Sequence, residues 1–184
     1  MKLIMLDLDG TLFDTKEVNY RAYKDAVEPY GYHIDYDYYC RFCNGRHYLE
    51  FLPEITTKDK NILSDIHKRK KNAYAKYLSL AKLNTTLVDI VMSCKTKCKI
   101  ALVTTASRKN TEEILCEFGI KEIFDLIITQ EDINKKKPDP EGYIKVMKHF
   151  DIIPEESVIF EDSDVGIEAA ERSGANVYVV KGYN

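Results

Sequence analysis

Five short apolar runs constrain this chain more than any other feature: Lys2–Leu6, Lys99–Val103, Leu126–Thr129, Val158–Phe160 and Val177–Val180. Each is continuous rather than alternating. That pattern suits strands buried on both faces of a parallel sheet. Helical patterns lie between them. They cover Leu87–Lys97, Glu112–Phe118 with a stop at Gly119, Pro140–Phe150, and Val165–Ser173 with Gly174 behind it. Strand–helix repetition of this kind predicts an open α/β sheet of about five strands, with helices on both faces and right-handed crossovers.

The stretch from about Thr15 to Asn84 breaks the rhythm and shows no strand-like run. Val18, Ala22, Ala26 and Val27 recur at helical spacing, and Gly31 ends that pattern. Lys58–Leu83 reads as one long helix, with Ile62, Ile66, Ala73, Tyr77 and Leu80 near one face. The expected organisation is a core of residues 1–14 and 86–184, with a helical insertion over residues 15–85.

Charge follows the same division. Lys16–Thr85 carries 13 Lys and Arg against 9 Asp and Glu, and the remainder 14 against 21. The net charge of −3 gives no general reason to bind nucleic acid. The run Lys68-Arg69-Lys70-Lys71 reads as a solvated helix face. No apolar run reaches the ~18–20 residues of a membrane span. The N-terminus meets Asp7 too soon for a secretory signal. The expected location is the cytoplasm, with no membrane partner. The five cysteines, an odd number, are expected to be reduced. Cys40 and Cys43, with His47 nearby, lack a second ligand pair and read as ordinary packing.

Four polar segments follow the strands. The first is Asp7-Leu8-Asp9-Gly10-Thr11. Two carboxylates at the carboxyl end of a parallel strand sit where open α/β sheets bind ligands. The same residues also fit a polar turn with a cap. The second is Thr104-Thr105-Ala106-Ser107, whose hydroxyl and turning amides can cradle an oxyanion or simply cap a helix. The third is Lys135-Lys136-Lys137-Pro138, in which Pro138 favours an extended Lys137 and one lysine can reach a phosphate. The fourth is Glu161-Asp162-Ser163 after a fully apolar strand. Buried unpaired acids there would be costly, and a hard divalent cation such as Mg²⁺ removes that cost. All four segments converge on one crevice.

This ordered set resembles the haloacid dehalogenase superfamily: Asp7-Leu8-Asp9-Gly10-Thr11, then Thr104, then Lys137-Pro138, then Glu161-Asp162-Ser163. The resemblance covers nearly the whole chain and implies a Rossmann-like core. The insert is similar to the helical cap of the branch holding phosphoglycolate phosphatases and β-phosphoglucomutases. Asp9 points to phosphatases and phosphomutases, because dehalogenases and P-type ATPases of the superfamily replace that residue. Relatives usually continue past Val180 with another helix, whereas this sequence stops at Asn184.

The resemblance implies a phosphomonoesterase acting on a small phosphorylated metabolite. Asp7 would attack phosphorus and form an aspartyl phosphate, and Asp9 would act as acid and then base. Mg²⁺ would be held by Asp7, the Asp9 backbone carbonyl, Asp162 and Glu161. Thr104, the amides from Thr105 onward and Lys137 would cradle the phosphoryl group, with Ser107 and Asn110 in support. The cap would close over the crevice, with Arg46 and His47 of the Phe42–Tyr48 loop meeting the leaving group. The competing reading has Arg46 capping a helix and His47 exposed. The tyrosines Tyr20, Tyr23, Tyr30, Tyr32, Tyr36, Tyr38 and Tyr39 are expected to form the cap's own core and rim. A hexose-phosphate mutase is the first alternative, but mutase caps commonly carry an Arg where this chain has Tyr48. A non-catalytic phosphate-binding protein is the second. The expected oligomeric state is a monomer or weak dimer.

Overall fold

The computed structural model describes residues 1–182. Two compact units are present: Met1–Asp14 together with the chain from Lys82 onward, and Thr15–Ala81.

The first unit begins with β1 (Leu3–Leu6) and β2 (Phe13–Asp14). It resumes with β3 (Lys82–Leu83), α5 (Thr85–Cys94), β4 (Lys99–Val103), α6 (Arg108–Glu117) and β5 (Leu126–Ile128). It continues through α7 (Glu141–Phe150), β6 (Ser157–Glu161), α8 (Asp164–Arg172) and β7 (Asn176–Val179). The main sheet has the order β5-β4-β1-β6-β7, with every pairing parallel. Parallel strands need crossover connections. The chain passes from β1 to β4 through the second unit and α5, and from β4 to β5 through α6. It then crosses the sheet from β5 to β6 through α7, and passes from β6 to β7 through α8.

All four residues of β1 are buried, as a central strand requires. Leu3, Met5, Ala101, Val103 and Ile159 face one side and pack with Tyr143, Val146 and Met147 of α7 and with Ala169 and Ala170 of α8. The alternate residues Ile4, Leu6, Ile100 and Leu102 are buried as well, and the pleat turns them to the opposite face. Burying each such side chain stabilises the fold by roughly 1.5–3 kcal/mol before entropy is counted. Because β1 lies between β4 and β6, the chain reverses its direction of travel across the sheet there. Open α/β sheets bind ligands at that switch point, at the carboxyl ends of the strands.

The second unit contains α1 (Lys16–Val27), α2 (Tyr36–Tyr38), α3 (Tyr48–Ile55) and α4 (Lys60–Ala73). Tyr20, Tyr23, Tyr39, Phe51, Leu63 and Ile66 form its core, with Tyr30 and Tyr32 packed against it. Tyr36 and Tyr38 are exposed at its rim. Asp35 and Asp59 cap α2 and α4 by accepting backbone N–H groups at 2.9 and 2.8 Å. The basic run on α4 is more than a solvated face. Lys70 Nζ lies 5.3 Å from the Tyr23 ring centroid and 4.9 Å from that of Tyr74.

The structure changes one part of the expected layout. The long helix over Lys58–Leu83 stops at Ala73, continues as a 3₁₀ segment over Tyr74–Leu80, and gives way to β3. β3 pairs antiparallel with β2, Phe13 opposite Leu83 and Asp14 opposite Lys82. A two-residue strand is too short to show a period, and its partner is far away in sequence. All five cysteines are free thiols. Among the described residues, no helix is long and apolar enough to cross a membrane.

Candidate active site

Asp7 follows β1 directly, and its amide donates to Phe160 O of β6 at 3.1 Å. The chain then turns sharply. Gly10 has φ +94° and donates its N–H to Phe13 O at 2.8 Å. A Cβ on Gly10 would lie 2.0 Å from Asp162 Oδ2. The turn and Asp162 therefore share this space only because residue 10 has no side chain. Thr11 Oγ1 donates to Asp162 Oδ1 at 2.8 Å and ties the two segments together. Asp9 is half-buried, and its charge acts on the Asp162 carboxylate.

Lys137 is the centre of the cluster. Its Nζ lies 2.6 Å from Asp7 Oδ1, 2.5 Å from Glu161 Oε1 and 3.1 Å from Val103 O. The Lys137–Pro138 peptide is cis, and the pair lies in a turn. Glu161 has no exposed surface. Its second oxygen accepts from Asp162 N at 3.0 Å and from Ser163 N and Ser163 Oγ at 3.3 Å. Glu161 thus anchors Lys137 as well as facing Asp162.

After β4, Thr104 N donates to Ile128 O at 3.0 Å, and Thr104 Oγ1 accepts from Ala106 N at 3.0 Å. Thr105 is exposed. Ser107 is the N-cap of α6, accepting from Asn110 N at 3.3 Å. Its own hydroxyl donates to Asn110 Oδ1 at 3.0 Å, and Asn110 Nδ2 donates to Glu113 Oε2 at 3.0 Å. Both residues are buried and brace this loop.

Arg46 and His47 belong to the helical unit. Arg46 makes a two-pronged pair with Glu54 at 2.8 and 3.0 Å and donates to Phe42 O at 2.8 Å. His47 is the N-cap of α3, and its Nδ1 accepts from Leu49 N at 3.4 Å.

The electrostatics follow from burial. Burial pushes the Asp7 carboxyl well above its usual range, against the pull of Lys137 and with Glu161 and Asp162 adding to the rise. Burial also pushes Asp162 up to about 6. For Lys137, burial works against the charged form, but Asp7, Tyr143 and Glu161 outweigh it and hold the ammonium well above its ordinary range. One carboxylate oxygen from each of Asp7, Glu161 and Asp162 lies within 4.8 Å of the others. Three carboxylates face one ammonium. The surplus of negative charge and the all-oxygen donor set fit a hard divalent cation such as Mg²⁺.

Three contributors escaped the reading of the sequence. Thr11 sat inside a recognised segment without a role. Gly166 leaves room for the Glu161 carboxylate, which a Cβ there would meet at 2.0 Å. Tyr143 donates to Glu161 Oε1 at 2.9 Å from within α7. Thr11 and Tyr143 matter through partners distant in sequence, Asp162 and Glu161. Gly166, only five residues from Glu161, matters because the first turn of α8 packs against that carboxylate.

An open parallel sheet that gathers a buried carboxylate, a lysine and an acidic pair at its switch point defines the class: an α/β enzyme with an acidic cluster that could hold a metal ion. The family model for haloacid dehalogenase-like hydrolases matches residues 4–180, and the chain belongs to that family as one of its hydrolases. It is 31% identical over 181 residues to the phosphorylated carbohydrates phosphatase of Thermotoga maritima, covering 95% of this chain and 82% of that protein. It is 25% identical to the fructose-1-phosphate phosphatase of Escherichia coli over 97% of this chain and 95% of that one. Among solved structures, the protein CbbY of Rhodobacter sphaeroides in complex with phosphate is similar. Its TM-score is 0.86 at 27% identity, covering 100% of this chain and 87% of that one.

Proposed function

We propose that this chain is a Mg²⁺-dependent phosphatase that hydrolyses a small phosphorylated metabolite through an aspartyl phosphate on Asp7. Phosphorylated sugars are the first substrate class to test, because two relatives carry that activity in their names. The observation that carries the reading is the 2.6 Å contact between Lys137 Nζ and Asp7 Oδ1 inside a three-carboxylate cluster. A purely structural role would not explain a surplus of buried negative charge, which costs stability unless a cation joins it.

In this reading Asp7 Oδ attacks phosphorus, and the bond to the leaving oxygen breaks as Asp9 protonates that oxygen. Asp9 then takes a proton from the water that cleaves the aspartyl phosphate. One difficult displacement becomes two easier ones. Lys137 holds Asp7 in place and offsets charge on the phosphoryl oxygens. Thr104 Oγ1 accepts from Ala106 N, which leaves its own proton available for a phosphoryl oxygen. The Thr105 amide completes this side of the cradle, with Ser107 and Asn110 behind it. Asp7, the Asp9 carbonyl and Asp162 would hold Mg²⁺, with Glu161 alongside. When bound, the ion neutralises charge on the transferring group.

The test is phosphate release from p-nitrophenyl phosphate and a panel of sugar phosphates, in Mg²⁺ and in chelator. Release in Mg²⁺ alone is the expected result, and no release from any substrate would sink the proposal. A mutase would instead interconvert sugar phosphate isomers when primed with a sugar bisphosphate. At the position where mutase caps commonly carry Arg, the Tyr48 ring stacks on His67 at 3.9 Å.

A further inference from the structure

We propose that Tyr143 is a positioning residue for Lys137, its hydroxyl setting how the ammonium is shared between Asp7 and Glu161. The importance of that sharing rests on the reading of Asp7 as the nucleophile. The geometry rests on nothing beyond the contacts themselves.

A lysine ammonium has three protons. Lys137 Nζ meets three acceptors: Asp7 Oδ1 at 2.6 Å, Glu161 Oε1 at 2.5 Å and Val103 O at 3.1 Å. Its position is therefore a balance between two carboxylates. Tyr143 acts on one side of that balance. Its hydroxyl donates to the same Glu161 oxygen that Lys137 uses, at 2.9 Å. An acceptor shared between two donors pulls less strongly on each. The Tyr143 ring also lies beneath the ammonium, its centroid 5.2 Å from Nζ.

The rest of the Glu161 carboxylate is fixed. Oε2 accepts from Asp162 N, Ser163 N and Ser163 Oγ. Gly166 leaves no atom where a Cβ would approach Oε1 to 2.0 Å. The carboxylate cannot turn to compensate for a lost donor. Removing the phenolic hydroxyl removes one of two donors to Oε1, so the ammonium is drawn toward Glu161 and away from Asp7. Tyr143 is 1% exposed, so water does not replace the hydroxyl.

The experiment compares wild type, Tyr143→Phe and Val146→Ala. Val146 is a buried core neighbour on the same helix with no polar atom in its side chain. Two readouts are taken besides melting temperature. The first is kcat and KM with p-nitrophenyl phosphate in Mg²⁺. The second is the acetylation rate of Lys137, followed by mass spectrometry, which reports the lysine's setting without any turnover. Lys137 is protected in the native protein, its side chain 8% exposed.

Tyr143→Phe is expected to melt close to wild type, lose about tenfold in kcat/KM, mostly in kcat, and acetylate Lys137 at a clearly different rate. Val146→Ala is expected to melt lower with both readouts unchanged. Wild-type kinetics and labelling in Tyr143→Phe would overturn the proposal. So would a Tyr143→Phe protein that fails to fold, because the hydroxyl would then be a stability element. A wild-type protein without phosphatase activity would sink the proposed function instead, and the labelling comparison alone would decide the role of Tyr143.

Discussion

Lys137 Nζ lies 2.6 Å from Asp7 Oδ1 although 130 positions separate the two residues. Both side chains are nearly buried. The contact forms only because β1 and β4 lie side by side and the turn before α7 returns over their carboxyl ends. Most of the proposed chemistry depends on it.

Asp7→Asn should abolish turnover and leave the fold intact. The amide has the same shape but no charge with which to attack phosphorus. It also removes one of three carboxylates facing a single ammonium, so the metal-free melting temperature should hold or rise. A drop of at least about a thousandfold in kcat is expected with p-nitrophenyl phosphate. Activity near wild type in a folded variant would remove Asp7 from the nucleophile role.

The pH dependence of metal-free stability should carry the mark of Asp162. Burial pushes its carboxyl from 3.8 up to about 6 in the folded protein. The folded state then holds more protons than the unfolded chain between these values, so this group lowers stability as pH rises from 3.8 to 6. Asp162→Asn should therefore gain stability relative to wild type across that interval in chelator, and Mg²⁺ should restore wild type at neutral pH. Urea titrations at several pH values measure the difference. A constant difference would show that Asp162 is not perturbed in this way.

Gly10→Ala should damage both stability and activity. The φ of +94° is unfavourable for any residue with a Cβ, and the new carbon would lie 2.0 Å from Asp162 Oδ2. Backbone strain alone costs about 1–2 kcal/mol, and displacing Asp162 should raise the Mg²⁺ concentration needed for half-maximal activity. Unchanged Mg²⁺ dependence would show that Asp162 tolerates the shift.

Arg46→Ala with His47→Ala should have little effect on substrate choice. Arg46 is paired with Glu54, and His47 caps α3. The ratio of kcat/KM for a sugar phosphate over p-nitrophenyl phosphate should stay within about twofold, as expected when exposed ion pairs contribute little. A selective loss of ten- to a hundredfold, the size of a lost charged contact, would assign these side chains to substrate recognition.

The sheet was legible because its strands lie in short apolar runs. The inner strands β1 and β4 are buried along almost their whole length. The edge strand β7 is largely exposed, against the expectation of burial on both faces, because only one side of an edge strand has a neighbour. Lys99–Val103 is the clearest case, read and observed with the same limits. The polar residues that end those runs were legible for the same reason. Asp7, Glu161 and Asp162 each follow or close a strand, and one carboxylate oxygen of each lies within 4.8 Å of the others. Thr104 likewise follows β4. The β2–β3 pair and the break of the long helix at Ala73 were not legible. Two-residue strands show no period, and a 3₁₀ turn continues a helical pattern without changing its residues.

By itself, then, the sequence determined the succession of the five main strands and their helices and the kinds of residue at the strand ends, because hydrophobic periodicity and turn chemistry act between near neighbours. The tertiary structure decided the place of β1 between β4 and β6, and how charge is shared among the residues at the strand ends. Tyr143 carries no sign of its role in its own segment, yet it meets Glu161, which meets Lys137, which meets Asp7. Burial strengthens such contacts and shifts proton affinities by removing water, and which groups are buried together depends on the packing of the whole sheet.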